Sequence, residues 1–294
     1  MNDCLLYDYF MKEGFLMKEA DKTNFISNFT KKIFVTVILV VLLLGINSIY
    51  MHAQPDDLGC KKGETLYFQA RESFVAPTQN FKEVLSLLEE SIPFFAEIED
   101  KQLSYYWLAK TAYLKGVVEK DRNCHEKAEE NFSFSKELIV KSLEMGDFSD
   151  GYRLKADVEG QLIYYGDLYY KTKFGPGIKN YITKAIELDS DNKKAYISLA
   201  MYYRDAPFIA GGSFKKSEAV LKKMIDATLS DQIDLFSLYL WIDTAWINSN
   251  NNRKKISDCI SMLKLFSNQS DIHLMTERIE KKYVQNIINI IRNH

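Results

Sequence analysis

The sequence predicts an all-α protein built as a solenoid of helical hairpins behind an N-terminal apolar segment. Three observations carry that expectation. Proline and glycine are scarce, 5 and 13 in 294 residues, while Tyr and Phe number 18 each; few residues break helices and many fill the space between them. Apolar residues recur at spacings of three, four and seven in the body of the chain, which places them on single helical faces. One pattern of bulky, small and aromatic residues also occurs twice at a fixed offset, the signature of a repeat architecture.

The chain begins with a leader, residues 1–32, whose length places the true start of translation at Met11 or Met17. Residues 33–53 follow. They open with "IFVTVILVVLLLGI", fourteen uncharged residues directly after Lys31-Lys32, the length of a signal-peptide core, with Ala53 as the last residue removed. Counting Asn47 to Tyr50 extends the run to 18 residues, enough for an uncleaved anchor. Lipidation at Cys60 in "DLGC" fits poorly, because Asp57 stands where an aliphatic residue is needed. Each alternative places the body, residues 54–294, in the periplasm or cell envelope, touching the membrane only through the N-terminal segment.

The first hairpin of the body is read from "NFKEVLSLLEESIP", an outer helix ending at Pro93 with Val84, Leu88 and Ser91 on its inner stripe. "YYWLAKTA" then gives an inner helix through Tyr105, Leu108, Ala109 and Ala112, paired with a helix through Ala128 and Phe132. The repeat itself is "LIYYGDLYY" against "YISLAMYY". Leu162, Tyr165, Gly166 and Tyr169 match Tyr196, Leu199, Ala200 and Tyr203 at an offset of 34. Gly166 and Ala200 are read as the positions where a neighbouring helix approaches closely. Pro176-Gly177 is read as the turn, followed by the stripe Ile178, Ile182, Ala185 and Ile186.

This pattern resembles the tetratricopeptide repeat: bulky-x-x-Leu-Gly/Ala-x-x-Tyr on the inner helix, Ala-x-x-x-Phe-x-x-Ala on the outer one. Ile178, Ile182 and Ser190 replace the usual Ala, Phe and closing Pro. The likeness touches residues 62–270 and is specific over 159–231. Downstream, "LFSLYLWI" supplies Leu235, Leu238 and Ile242 with Tyr239 in the small position. "RKKISDCISMLKLF" is its partner, and "DIHLMTERIEKKYVQNIINII" closes the array.

Between Arg204 and Ser213 the hairpin is longer than its upstream counterpart. Pro207 ends the inner helix, Gly211-Gly212 permits positive φ, and Ser213 caps the next helix. No strand precedes this glycine pair, so the context of a phosphate-binding loop is missing, and it is read as a hairpin corner. The Pro-x-x-x-Gly-Gly insertion together with Trp107-Leu108-Ala109 is similar to the T-component proteins associated with TRAP solute transporters, a narrower resemblance that implies a periplasmic accessory role.

Composition sets further bounds. With 47% hydrophobic residues, 27% charged and a formal net charge of −2, nothing in the balance calls for nucleic acid. The four cysteines are far apart without a C-x-x-C, which argues against a disulfide framework or zinc knuckle and leaves a single disulfide open. The four histidines lack metal-ligand spacing, and no nucleophile elbow occurs. The expected function is therefore binding without catalysis or cofactor. Groove residues implied by the repeat are Ile163, Asp167, Tyr170 and Lys171 in one unit, and Lys194, Ile197, Met201 and Arg204 in the next. Their mixed chemistry suits a scaffold for another envelope protein or peptide. The alternative is a transporter accessory that binds a small organic ligand or docks a solute-binding protein.

Overall fold

A computed structural model describes residues 55–76, 78–226, 234–248, 253–264 and 268–293; the leader and apolar run expected over 1–53 lie outside them. Among the described residues the regular structure is helical throughout: α1 (Pro55–Val75), α2 (Phe81–Ala96), α3 (Lys101–Asp121), α4 (His125–Met145), α5 (Ser149–Tyr165), α6 (Leu168–Leu188), α7 (Lys193–Asp205), a 3-10 turn (Phe208–Ala210), α8 (Phe214–Asp226), α9 (Leu235–Asn248), α10 (Arg253–Leu263) and α11 (Gln269–Asn293). None of these helices is long and apolar enough to cross a membrane.

The helices pack in consecutive pairs, α3 on α4, α5 on α6 and α7 on α8, while α3, α5, α7, α9 and α11 also touch in succession as an inner row. Small residues set the closeness of each pair. Ala109 and Ala200 are fully buried, and at both the outer helix donates a serine hydroxyl to the inner helix's carbonyl: Ser135 Oγ to Ala109 and Ser217 Oγ to Ala200, each 2.7 Å. A Cβ added at Gly116 of α3 would lie 2.6 Å from the Phe132 ring of α4. Val84, Leu88 and Ser91 are buried on α2 as the stripe predicts, although the helix runs on past Pro93 to Ala96. Leu221 and Ile182, equivalent on their outer helices, are both buried; each contributes on the order of 1.5–3 kcal/mol by leaving water.

The structure corrects the register of the central repeat. Gly166 does not sit inside an inner helix. It is the C-cap of α5, in extended conformation, and its N–H bonds the Leu162 carbonyl. Asp167 then caps α6, its carboxylate accepting from the Tyr170 N–H at 2.8 Å. The inner helix of this unit is α5, and its buried small residue is Ala156. Nor does Pro176-Gly177 form a turn, because both lie within α6. The stripe beyond the proline survives the correction: Ile178 and Ile182 pack against Ala156.

At the long corner the reading from sequence holds. Ala206 closes α7, Gly211 adopts φ +87°, and the Ser213 hydroxyl accepts from the Lys216 N–H at 3.3 Å. Gly212 has no room for a side chain, since a Cβ there would fall 1.8 Å from the Ala206 carbonyl oxygen.

The array also returns on itself. Phe74 of α1 meets Phe236 and Tyr239 of α9 edge-on, with ring centroids 6.1 and 5.0 Å apart. Asp121, the last residue of α3, pairs with Lys282 and Arg278 of α11 and accepts from the Tyr239 hydroxyl. One continuous core therefore runs from Tyr67 to Ile279.

Candidate functional site

Helix α1 and three helices of the inner row bring charged and aromatic side chains together. From α1 come Tyr67, Phe68 and Arg71; from α3, Tyr106, Trp107 and Lys110; from α5, Asp150, Arg153 and Asp157; from α7, Lys194 and Ser198. Within the sets the spacings are one, three, four or seven residues, which keeps each set on one side of its helix. Asp234, which caps α9 by accepting from the Ser237 N–H at 3.0 Å, completes the group.

The acidic members are committed. Asp234 pairs with Arg71 at 2.9 Å, Asp150 with Arg153 at 3.2 Å, and Asp157 accepts from Arg153 and from the Ser198 hydroxyl. Asp150 also accepts from the Tyr106 hydroxyl and the Asn192 amide at 3.0 Å each. Burial alone would raise its pKa, but Arg153, Asn192, Lys194 and Tyr106 together hold it down at about 2. Asp157, more deeply placed, is raised by burial against the pull of Arg153.

The basic members are not all committed. The Lys110 ammonium lies over four rings, 3.7 Å from the centroid of Trp107, 5.0 Å from Tyr67, 5.2 Å from Tyr106 and 5.7 Å from Phe68. Among the described residues it has no carboxylate at ion-pair distance, and neither has Lys194. Burial, reinforced by Arg153 and Lys194, lowers the Lys110 pKa to about 7. Lys194 is lowered too, first by burial and then by Arg153.

The eight groove residues expected from the repeat do not form one surface. Ile163, in the last turn of α5, packs on the Ile178–Ile182 cluster. Asp167, Tyr170 and Lys171 sit at the start of α6, where Tyr170 donates to Glu159 at 2.9 Å and accepts from Lys136 at 3.2 Å. Tyr170 and Gly166 line a groove of about 660 Å³ with Leu162 of α5 and with Ser133, Lys136 and Glu137 of α4. On α7, Ile197 is buried and Met201 packs on the core. Arg204 is held by Asp205 and by the Trp241 carbonyl at 2.7 Å, its guanidinium 4.2 Å from that tryptophan's ring centre. Lys194 alone of the eight belongs to the cluster.

What sequence reasoning missed was legible in part. Asp150, Arg153 and Asp157 alternate in sign at helical spacing, and Tyr106, Trp107 and Lys110 share a face inside "YYWLAK". Either stripe reads as an ordinary solvated surface until α5 is recognised as an inner helix. No protein-family model matches the chain, and no curated protein matches it.

Proposed function

We propose that the chain is a non-catalytic binding protein of the cell envelope, and that a small organic ligand docks on the cluster lined by Lys110 and Lys194. It would serve as an accessory of the kind the transporter-associated resemblance implies. The return of α9 and α11 onto α1 and α3 carries this reading. An extended peptide needs an inner groove open along the superhelix, whereas here the two ends meet and the polar cluster carries aromatic rings around Lys110, a mixture that suits a small-molecule site. The test is native mass spectrometry of the full chain purified from envelope membranes. A bound small molecule should travel with the wild type and with Lys184→Ala on the outer helix, and be lost from Lys194→Glu. Equal retention by all three, or a wild type carrying nothing, overturns the reading.

A second reading, a scaffold for another envelope protein, is favoured by the corner after α7. Phe208 and Ile209 are 90% and 96% exposed there. They are held in place by hydrogen bonds from the Tyr202 hydroxyl to the Ala210 carbonyl and from the Gly212 N–H to the Pro207 carbonyl. Exposed apolar side chains on a fixed turn lose little entropy on docking. Substituting both by Ser should abolish partner recovery in a pull-down if this reading is right, with folding unchanged.

A further inference from the structure

We infer that the corner after α7 is a membrane contact: Phe208 and Ile209 enter the interface of an anionic lipid bilayer, and the lysines beside them bind its headgroups. The inference is independent of the small-ligand reading, and it assigns the corner of the second reading to lipid rather than to protein. It adds a membrane contact to the one expected of the N-terminal segment.

The shape of the corner is the first support. Phe208 and Ile209 lie in the 3-10 turn and are almost wholly exposed. Side chains so bare stand at a tip rather than in a groove. A protein partner would need a pocket shaped for both, whereas hydrocarbon closes around any apolar side chain. The turn is braced from behind, for besides the Tyr202 and Gly212 bonds the Ser213 N–H donates to the Tyr203 carbonyl at 2.6 Å. Phe214, at the start of α8, is exposed as well. A cluster of this kind goes beyond the scattered apolar residues ordinary on a soluble surface.

Charge is the second support, and printed side by side the contacts tie the tip to a basic patch. Tyr202, whose hydroxyl holds Ala210, meets the Tyr203 ring with centroids 5.8 Å apart. The ammonium groups of Lys179 from α6 and Lys216 from α8 each lie 5.6 Å from the centre of the Tyr203 ring. Lys215 is exposed next to Lys216. Among the described residues none of the three has a carboxylate at ion-pair distance: Asp205 is held by Arg204, and Glu218 by Lys222. Such lysines lay their stems along apolar surface and keep the ammonium in water, and near an anionic membrane each adds attraction. An apolar tip, half-buried tyrosines and unpaired lysines match the chemistry met on passing from hydrocarbon to headgroups.

The third support lies in the same chain. A two-residue tip binds a bilayer weakly by itself, as a single acyl chain does. The chain also carries the apolar run of residues 33–46. Where that run holds the protein to the membrane, the corner meets the bilayer at high effective concentration.

The experiment reconstitutes the full chain into vesicles of phosphatidylcholine and phosphatidylglycerol in equal parts, with and without brominated acyl chains, which quench tryptophans in contact with hydrocarbon. The reporters are Phe208→Trp and, independently, Ile209→Trp. The wild type, with its three tryptophans, gives the background, and Phe134→Trp, at an exposed position of α4, is the control. Both reporters should be quenched beyond the wild type and the control, and less so in phosphatidylcholine alone or at about 0.5 M salt, where headgroup attraction is screened. Replacing Lys179, Lys215 and Lys216 by Gln in either reporter should lower the ratio of inserted to free corner by roughly tenfold or more. Quenching no greater than in the wild type, equal quenching at position 134, or quenching indifferent to lipid charge, salt and the three lysines would overturn the inference. So would a blue shift of the reporters without lipid. One that grows with protein concentration would assign the corner to a second copy of the chain, and one that needs added envelope proteins would assign it to the second reading. Each of these outcomes leaves the small-ligand reading intact.

Discussion

Lys110 shows how a single side chain can be destabilising where it stands. Its folded pKa of about 7 lies below the ordinary 10.5. Between those values the unfolded chain holds a proton that the folded chain does not, so stability should rise with pH through that window. Below about pH 7 the lysine is charged in both states and the full penalty of burying it applies. Lys110→Met should therefore raise the melting temperature at pH 7 and flatten its rise toward pH 10. A melting profile identical in slope to the wild type would show that the ammonium is not desolvated. Gly212 tests a different constraint. With its would-be Cβ inside the Ala206 carbonyl, Gly212→Ala must move the backbone of the corner, and a loss of about 1–3 kcal/mol in chemical denaturation is expected.

At the scale of the helix, the small residues Ala109 and Ala200 do what the sequence pattern proposes, each lying under a serine of the partner helix. Ala200→Leu should cost roughly 1–3 kcal/mol by overpacking against α8, and Ser217→Ala about 0.5–1.5 kcal/mol through the lost hydrogen bond; an unchanged melting temperature in the first would contradict this packing. Gly166 shows why the same pattern misleads one unit earlier. A glycine followed by aspartate can be a small packing residue or the end of one helix and the cap of the next. The local sequence supports both, and only the partner of α5 decides. Proline misleads in the opposite direction: Pro93 and Pro176 both lie inside helices, carried by the apolar stripes around them. Helix content, the stripes on α2 and α6 and the corner at Gly211-Gly212 were legible because they depend on neighbours within a turn or two. The candidate site was not, because it needs α1, α3, α5 and α7 in register.

For the molecule as a whole, the decisive contacts are those between its two ends. Lys282 bridges Asp121 and Asp243, the latter at 2.8 Å, and Tyr283 donates to Asp243 at 3.1 Å. Asp243 would be raised by burial, yet Lys282 and Lys120 hold it below the ordinary carboxylate range. Lys282→Met leaves two buried carboxylates short of their main partner, a loss on the order of 3–5 kcal/mol. Amide exchange should then show α11 opening before α3. Uniform exchange across the two helices would mean that the ion pairs do not hold the ends together. Nothing in the periodicity of the sequence announces such pairs.

That return has a consequence for how the chain is made. Arrays of hairpins usually fold from contacts between neighbours, one unit templating the next. Here Arg71 waits for Asp234 across 163 positions and Asp121 for Tyr239 across 118, and long-range pairing of this kind slows folding. During synthesis from the N-terminus the first hairpins emerge with Phe74 and the end of α3 uncovered, and they stay so until α9 and α11 arrive. The late arrival of the last two inner helices makes the interval before them the one in which this protein most needs a chaperone.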